Sequence, residues 1–444
     1  MRALLARVTK PAITAASAGA GLTLLVTLLC PSSPRAEVVD PTVAKTVVIG
    51  TGAGAAPAER VDAQHDGRVA SLPVDRRVRW TARVPTTRLE YSPISPARGV
   101  VFVASGGAVA AVIVEIGPSG QLAWPKVELA NETPATSPIA LASGLRVVLT
   151  QRGALYGFDA TGAQRFKTEL RSELATVMRG SMVPLPTGGF GVARSGDLVE
   201  LDASGNELGR TRLTLAGPIA ARTNGELVGI TPAGELFTWR AGRAPRLVGT
   251  FGAAATSGGY GGGGCLGGPV IDGDETPRAG GRRERAICAT EGGVEQIDLG
   301  TGARRALLAR AVLPYRTAAA VGRAGDLAIV GARGALFGAS ARGGEYGPLD
   351  VPGAAAVVSF GRDGGYLIGA VGEVAPLVAD DGAVLYGASE GLAIARPGEP
   401  PQRFFERCGG IAASVVGVVP TGPAELAVAC NDGQIEAFFD PSRP

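Results

Sequence analysis

The stretch Arg152–Phe166, RGALYGFDATGAQRF, places a short apolar run between two glycine-containing corners. Gly153 precedes the run Ala154–Phe158, and the tetrapeptide Asp159-Ala160-Thr161-Gly162 follows it. Glycine at a hairpin corner supplies the positive φ that other residues avoid, and Asp and Thr side chains satisfy nearby backbone N–H groups. The stretch therefore predicts turn, strand, turn, strand. It returns as SGDLVELDASGNELG (Ser195–Gly209) and more loosely from Ala233, Gly292, Arg333, Glu390 and Asp432, with an early divergent copy from Gly106. The leading turn glycines Gly107, Gly153, Gly196, Gly234, Gly292, Gly334, Gly391 and Gly433 fall 38 to 58 residues apart. The two longest intervals carry insertions, GGYGGGG with PRAGGRRER in one and SFGRDGGYLIG in the other.

Each unit opens on a Pro- or Gly-led apolar strand (SPIALA, GPIAAR, GPVIDG), followed by a second strand (LRVVLT, ELVGIT, RAICAT). The glycine corner then leads to a third strand and the Asp-Ala-x-Gly corner to a fourth bearing an aromatic or basic residue. Four short antiparallel strands per unit of about 42 residues are the pattern of a β-propeller blade. The sequence thus predicts an all-β fold of eight blades, with seven as the alternative count. The last unit stops at Phe439 after its third strand, and a spare strand, Arg77–Val84 (RVRWTARV), lies ahead of the first unit. Trp80 stands there where Trp124 and Phe166 stand in other fourth strands. The amino-terminal strand is expected to complete the eighth blade and close the ring, which leaves only short, protected edges.

The repeat YGFDATGAQRF, with LVELDASGNELG and WTARV, resembles the pyrroloquinoline-quinone-type propeller repeat. Gly153–Phe166 follows that family's G-x-L-y-A-l-d-a-x-T-G-x-x-x-W pattern with Phe in place of Trp. The resemblance covers residues 77–440 and is closest over 137–170 and 180–213. The family divides into quinone-dependent dehydrogenases and non-catalytic propellers, among them an outer-membrane lipoprotein that assists β-barrel assembly in the periplasm. The dehydrogenases hold calcium and quinone through a Glu/Asn/Asp set and adjacent disulfide cysteines. This chain has no vicinal Cys pair. The resemblance therefore implies the non-enzymatic branch, with no cofactor.

Composition narrows the classes. Of 444 residues, 67 are Gly and 31 Pro, an excess without the three-residue period of collagen. At 45% hydrophobic and 19% charged the chain is too apolar for wholesale disorder. A net charge of +3 gives no case for nucleic acid. Residues 1–36 read as an export signal or membrane anchor: Arg2, Arg7 and Lys10 precede an uncharged apolar run from Ala12 to Leu29. Cleavage after Ala36, retention as an anchor, and lipid attachment at Cys30 are three alternatives, and all place the remainder outside the cytoplasm. Residues 37–76 read as a flexible tether and 77–440 as the propeller.

Four further cysteines, Cys265, Cys288, Cys408 and Cys430, form two similar pairs, one member before an apolar strand and the other closing a later one. Exported chains with an even set favour disulfides, Cys265–Cys288 and Cys408–Cys430; buried free thiols are the alternative. Zinc does not suit them, because no C-x-x-C and no nearby His is present.

The remaining motifs have plain readings. Val47–Arg60 contains a nominal dinucleotide fingerprint, but Pro57 falls inside the would-be helix. Asp272, Asp274, Glu275, Asp380 and Asp381 lack the spacing of a calcium loop and read as turn residues. Gly258–Cys265 lacks the Lys-Ser/Thr of a phosphate loop. The loop with Arg278, Arg282, Arg283 and Arg285 could meet an acidic partner or lipid headgroups. His65, the single histidine, lies in the tether and would have to fold back to serve a hydrolase triad. No catalytic, cofactor or metal residue is assigned. The expectation is a monomeric binding or scaffold protein of the bacterial cell envelope with envelope protein partners, touching membrane only through its amino-terminal segment or a lipid. A ligand-sensing or carbohydrate-binding ectodomain and a quinone-dependent oxidoreductase are the alternatives.

Overall fold

The computed structural model describes residues 67–73, 75–84, 88–89, 91–96, 99–105, 110–170, 182–194, 196–252, 265–266, 268–273, 284–290, 293–308, 317, 319–322, 326–330, 336–339, 345–349, 374–388, 391–406, 408–409 and 414–442. The export segment with Cys30, the tether up to residue 66 with His65, the motif at 47–60 and residues 258–264 lie outside these. So do Asp274, Glu275, Arg278, Arg282, Arg283 and the insertion at 359–369.

The described residues form eight antiparallel blades. The first comprises Arg88–Leu89, Val100–Ser105, Ala110–Ile116 and Val127–Ala130. The second comprises Ile139–Ala140, Arg146–Leu149, Ala154–Phe158 and Gln164–Glu169. Blades three to seven follow the same order from Met182–Pro184, Ala220–Ala221, Val270–Gly273, Ala320–Val321 and Leu377–Ala379. The eighth holds Val415–Gly422, Glu425–Cys430 and Gln434–Phe439, and its fourth strand is Arg77–Arg83. That strand pairs antiparallel with Gln434–Phe439, Thr81 opposite Glu436 and Arg83 opposite Gln434. The eight-blade count and the closing strand both stand.

Burial explains why the strands read as they do. Second and third strands are covered on both faces by neighbouring blades, so Arg146–Leu149 and Ala154–Phe158 are buried throughout. Fourth strands alternate, exposed and half-buried, because only one face meets a neighbour. The core lies between blades. Val147, Leu149 and Leu155 of blade two pack with Phe190, Val192 and Val199 of blade three. Another cluster joins Leu385 and Phe404 of blade seven, Leu426 and Phe438 of blade eight, and Val100 and Phe102 of blade one. Ring closure is thus a packed apolar interface as well as a strand pairing.

A second device links successive blades. At three junctions an aromatic side chain on a fourth strand, or in Trp124's case on the corner just before it, sits on a corner glycine of the next blade. A Cβ placed on Gly120 would lie 2.9 Å from Trp80, on Gly162 2.7 Å from Trp124, and on Gly205 2.6 Å from Phe166. Each of these glycines has φ of +80°. Phe166 is held from behind by Gly157, directly opposite it on the third strand of its own blade. In blade three the corresponding position is Gly209, and there the Ala241 corner of blade four closes onto bare backbone instead.

Residues 67–73, the last part of the segment read as a tether, pack against the ring. Arg68–Val69 pairs in parallel with Leu377–Ala379, the first strand of blade seven. A two-residue strand carries no periodicity for sequence reading to detect.

The aromatic seat gives a paired test. Gly162→Ala and Gly188→Ala both place a side chain at positive φ, +80° and +89°, but nothing lies within 4 Å of the Gly188 position. Gly188→Ala is expected to cost about 1–2 kcal/mol. Gly162→Ala, which also displaces Trp124, is expected to cost at least about 1 kcal/mol more. Denaturant midpoints of the two variants would show the difference; equal losses would exclude the aromatic seat as a stabilising contact.

Candidate interaction surface

First strands lie at the opposite edge of each blade from the exposed fourth strands, and successive ones neighbour each other: 139–140 and 182–184, 182–184 and 220–221, 220–221 and 270–273, 320–321 and 377–379. They line the centre of the ring. The corners that follow them carry interlocked charges. Glu284 of blade five, 5% exposed, accepts from the Arg222 Nε of blade four at 2.6 Å and from the Thr223 backbone N–H and hydroxyl at 2.8 and 2.7 Å. Arg222 also pairs with Glu226. Asp272, at the end of the first strand of blade five, lies 3.9 Å from Arg68 and 3.8 Å from Arg285. Asp272, grouped by sequence with turn acids, is here an ion-pair partner. Asp381 accepts from the Ala383 N–H at 3.1 Å, as a turn residue does, and Asp380 donates its N–H to the Val69 carbonyl at 3.2 Å.

A third buried pair joins blades one and two. The Glu115 carboxylate accepts from Arg146 Nε and Nη2 at 2.9 and 2.8 Å and from the Trp124 indole N–H at 3.0 Å. Such an arrangement satisfies both buried charges, and removing one partner strands the other. The same Trp124 that seats on Gly162 is therefore fixed at its polar edge. Arg194, buried between blades two and three, donates to the Leu170 carbonyl, and its guanidinium lies 2.6 Å from the Cβ position of Gly153. Burial lowers its pKa, with the neighbouring Arg210 acting in the same direction.

The outward-facing surface is built from the fourth strands. Together they carry eleven Lys and Arg, including Arg77, Arg79, Arg83, Arg304 and Arg305, against four acids. This excess exceeds the +3 of the whole chain, so the rim is basic relative to the rest. Some of these cations serve local structure. Arg79 pairs with Glu425, Arg165 with Asp159 at 2.5 Å, and Arg304 with Glu295 at 2.5 Å. Charged fourth strands also discourage edge-to-edge pairing between copies. Val78, Leu208 and Leu247 stand more than half exposed among them.

Corner carboxylates hold their protons weakly. The Thr161 hydroxyl and N–H, with the Ala163 N–H and Arg165, keep Asp159 well below the ordinary carboxylate range against an opposing effect of burial. Burial would raise Asp202, but hydrogen bonds from the Asn206 side chain and the Asn206, Ser204 and Gly205 backbone leave it lowered. A carboxylate whose folded pKa lies below its unfolded value adds stability above the unfolded value and loses it as pH falls through the folded one. Stability against urea is therefore expected to decline from about pH 4 downward, with a shallower decline in Asp159→Asn/Asp202→Asn. An identical acid profile in the double variant would refute this assignment.

Both expected cysteine pairs lie at disulfide distance, Cα–Cα 5.2 Å for Cys265–Cys288 and 5.8 Å for Cys408–Cys430. The first ties the approach to blade five's inner strand, which carries Asp272, to its second strand. The second pins the segment before blade eight to the end of that blade's second strand. Non-reducing peptide mapping is expected to show these two linkages, and removing either to cost about 3 kcal/mol for loops of this length. Free thiols at all four positions would overturn the assignment. Among the described residues no group of three or more His, Cys, Asp or Glu is placed to hold a metal ion.

No protein-family model matches the sequence, and no curated protein matches it significantly. Solved structures do. BamB from Moraxella catarrhalis is 15% identical, with 82% of this chain and 98% of that chain covered at a TM-score of 0.54. Quinohemoprotein alcohol dehydrogenase from Comamonas testosteroni is 10% identical, with 87% and 80% covered at 0.54. The C-terminal WD40 domain of Sif2 is 12% identical, with 84% and 100% covered at 0.54. At these identities the likeness establishes the propeller fold.

Proposed function

We propose that this chain is a non-enzymatic binding propeller of the bacterial cell envelope, exported from the cytoplasm and docking acidic protein surfaces on its outer rim, with outer-membrane protein assembly as the setting. The observation that carries the reading is the basic bias of the fourth strands, eleven cations to four acids in a chain close to neutrality. Charge complementarity of this kind steers encounter and selects partners. Exposed strand edges and loops on a closed scaffold supply the contacts. Extracytoplasmic placement draws support from the two disulfide-distance pairs and from the basic-then-apolar amino terminus. The likeness to BamB supports the assembly setting, while the same fold in a quinohemoprotein dehydrogenase shows that architecture alone does not select a function.

Site-specific photo-cross-linking in intact cells tests the reading. A photoreactive residue at Leu208 on the rim is expected to capture a β-barrel outer-membrane protein or a component of its assembly. Arg77→Glu/Arg83→Glu, with the reactive group moved to Val78 beside them, is expected to weaken capture severalfold compared with Val78 alone. Capture of no envelope protein, or capture indifferent to the charge reversal, would contradict it.

A further inference from the structure

The seat of residues 67–72 has the features of a recognition site. The inner edge of blade seven offers two inward backbone donors: Val378 N–H donates to the Gly67 carbonyl at 3.0 Å and Asp380 N–H to the Val69 carbonyl at 3.2 Å. The first position accepts only glycine. At φ +70° a Cβ on Gly67 would lie 2.8 Å from the Pro376 carbonyl and 3.0 Å from the Ala320 Cβ of blade six. The second position reads a long cation, since Arg68 spans the centre to the Gly322 carbonyl at 3.5 Å and to Asp272 of blade five at 3.9 Å. Val69 and Leu72, 3% and 1% exposed, enter the apolar cluster that joins blades seven, eight and one. Blades five, six and seven meet the first two positions, and the cluster of blades seven, eight and one takes the aliphatic side chains, so that four positions are read: small, cationic, aliphatic and, three residues on, aliphatic.

The hold is light compared with that of the strand that follows. Arg68–Val69 has two paired positions, whereas Arg77–Arg83 has six. Its tether to the closing strand would keep the shorter segment at high effective concentration were it to leave.

We propose that the inner edge of blade seven, with Asp272, is a binding site for an extended Gly-Arg-aliphatic peptide, filled in cis by residues 67–72 of this chain and available to a second peptide when that segment leaves. Recognition is by strand addition, main-chain bonds giving affinity and side-chain pockets giving selectivity. The inference does not rest on the envelope reading, because it is measured on purified protein without cells.

The test uses the full chain and a fluorescent peptide of residues 66–73. Val69→Asp/Leu72→Asp displaces the resident segment, and Arg68→Glu does so without touching the apolar cluster. Each variant is first matched to the native thermal transition. Because the native site is competent only while its own segment is out, the variants are expected to bind the peptide more than about tenfold tighter than the native chain. Trypsin is expected to cleave after Arg68 in the Val69→Asp/Leu72→Asp protein and to spare that bond in the native one. A peptide with Glu in place of Arg68 is expected not to bind. Equal binding by native and variant chains, or no binding by the folded Arg68→Glu protein, would overturn the proposal.

Discussion

An aromatic ring resting on a glycine corner sets the geometry from which the rest of this molecule follows. Trp80 and Phe166 project from fourth strands, and Trp124 from the corner just before one, onto the next blade at Gly120, Gly205 and Gly162. Only glycine serves there, because the corner needs positive φ and the ring occupies the space a Cβ would take. Burying such a ring contributes on the order of 3 kcal/mol relative to its removal. Trp80 belongs to the amino-terminal strand, so the same contact that spaces neighbouring blades also locks the closure between blade eight and blade one.

That dependence explains what the sequence discloses. The corner glycines recur because each such turn needs positive φ, and at three junctions an aromatic ring recurs with them, so the recurrence is visible without a structure. The closing strand is legible for the same reason, since WTARV repeats a pattern seen in complete units. The central seat of Arg68–Val69 is not, because two residues have no period and their partners lie about 310 residues away at Val378 and Ala379. The ion pairs Glu115–Arg146 and Arg222–Glu284 join residues 31 and 62 apart, spacings that arise from ring geometry and differ at each junction. The cysteine pairs were accessible through their similar contexts. Gly209 shows the opposite case: where the aromatic is missing, the next corner approaches bare backbone, so the repeat continues although its marker is gone.

The architecture separates two kinds of surface. At the centre, charges are matched across blades, Arg222 with Glu284 and Arg68 with Asp272. These hold the ring's interior in one arrangement and leave Asp272 poised beside the chain's own amino-terminal segment. At the rim, fourth strands present unmatched edges, a cationic excess and a few exposed aliphatic side chains. The rim can vary in sequence without disturbing the core between blades, because the fourth strands bury one face only.

The central claim is that residues 77–83 close the ring as a strand of the eighth blade. Amide hydrogen exchange across Arg77–Arg83 and Gln434–Phe439 tests it directly. Closure predicts that the two segments are protected together and open together, among the slow-exchanging amides of the protein. Rapid exchange over 77–83 while 434–439 stays protected would show that the eighth blade has three strands and that the ring is open.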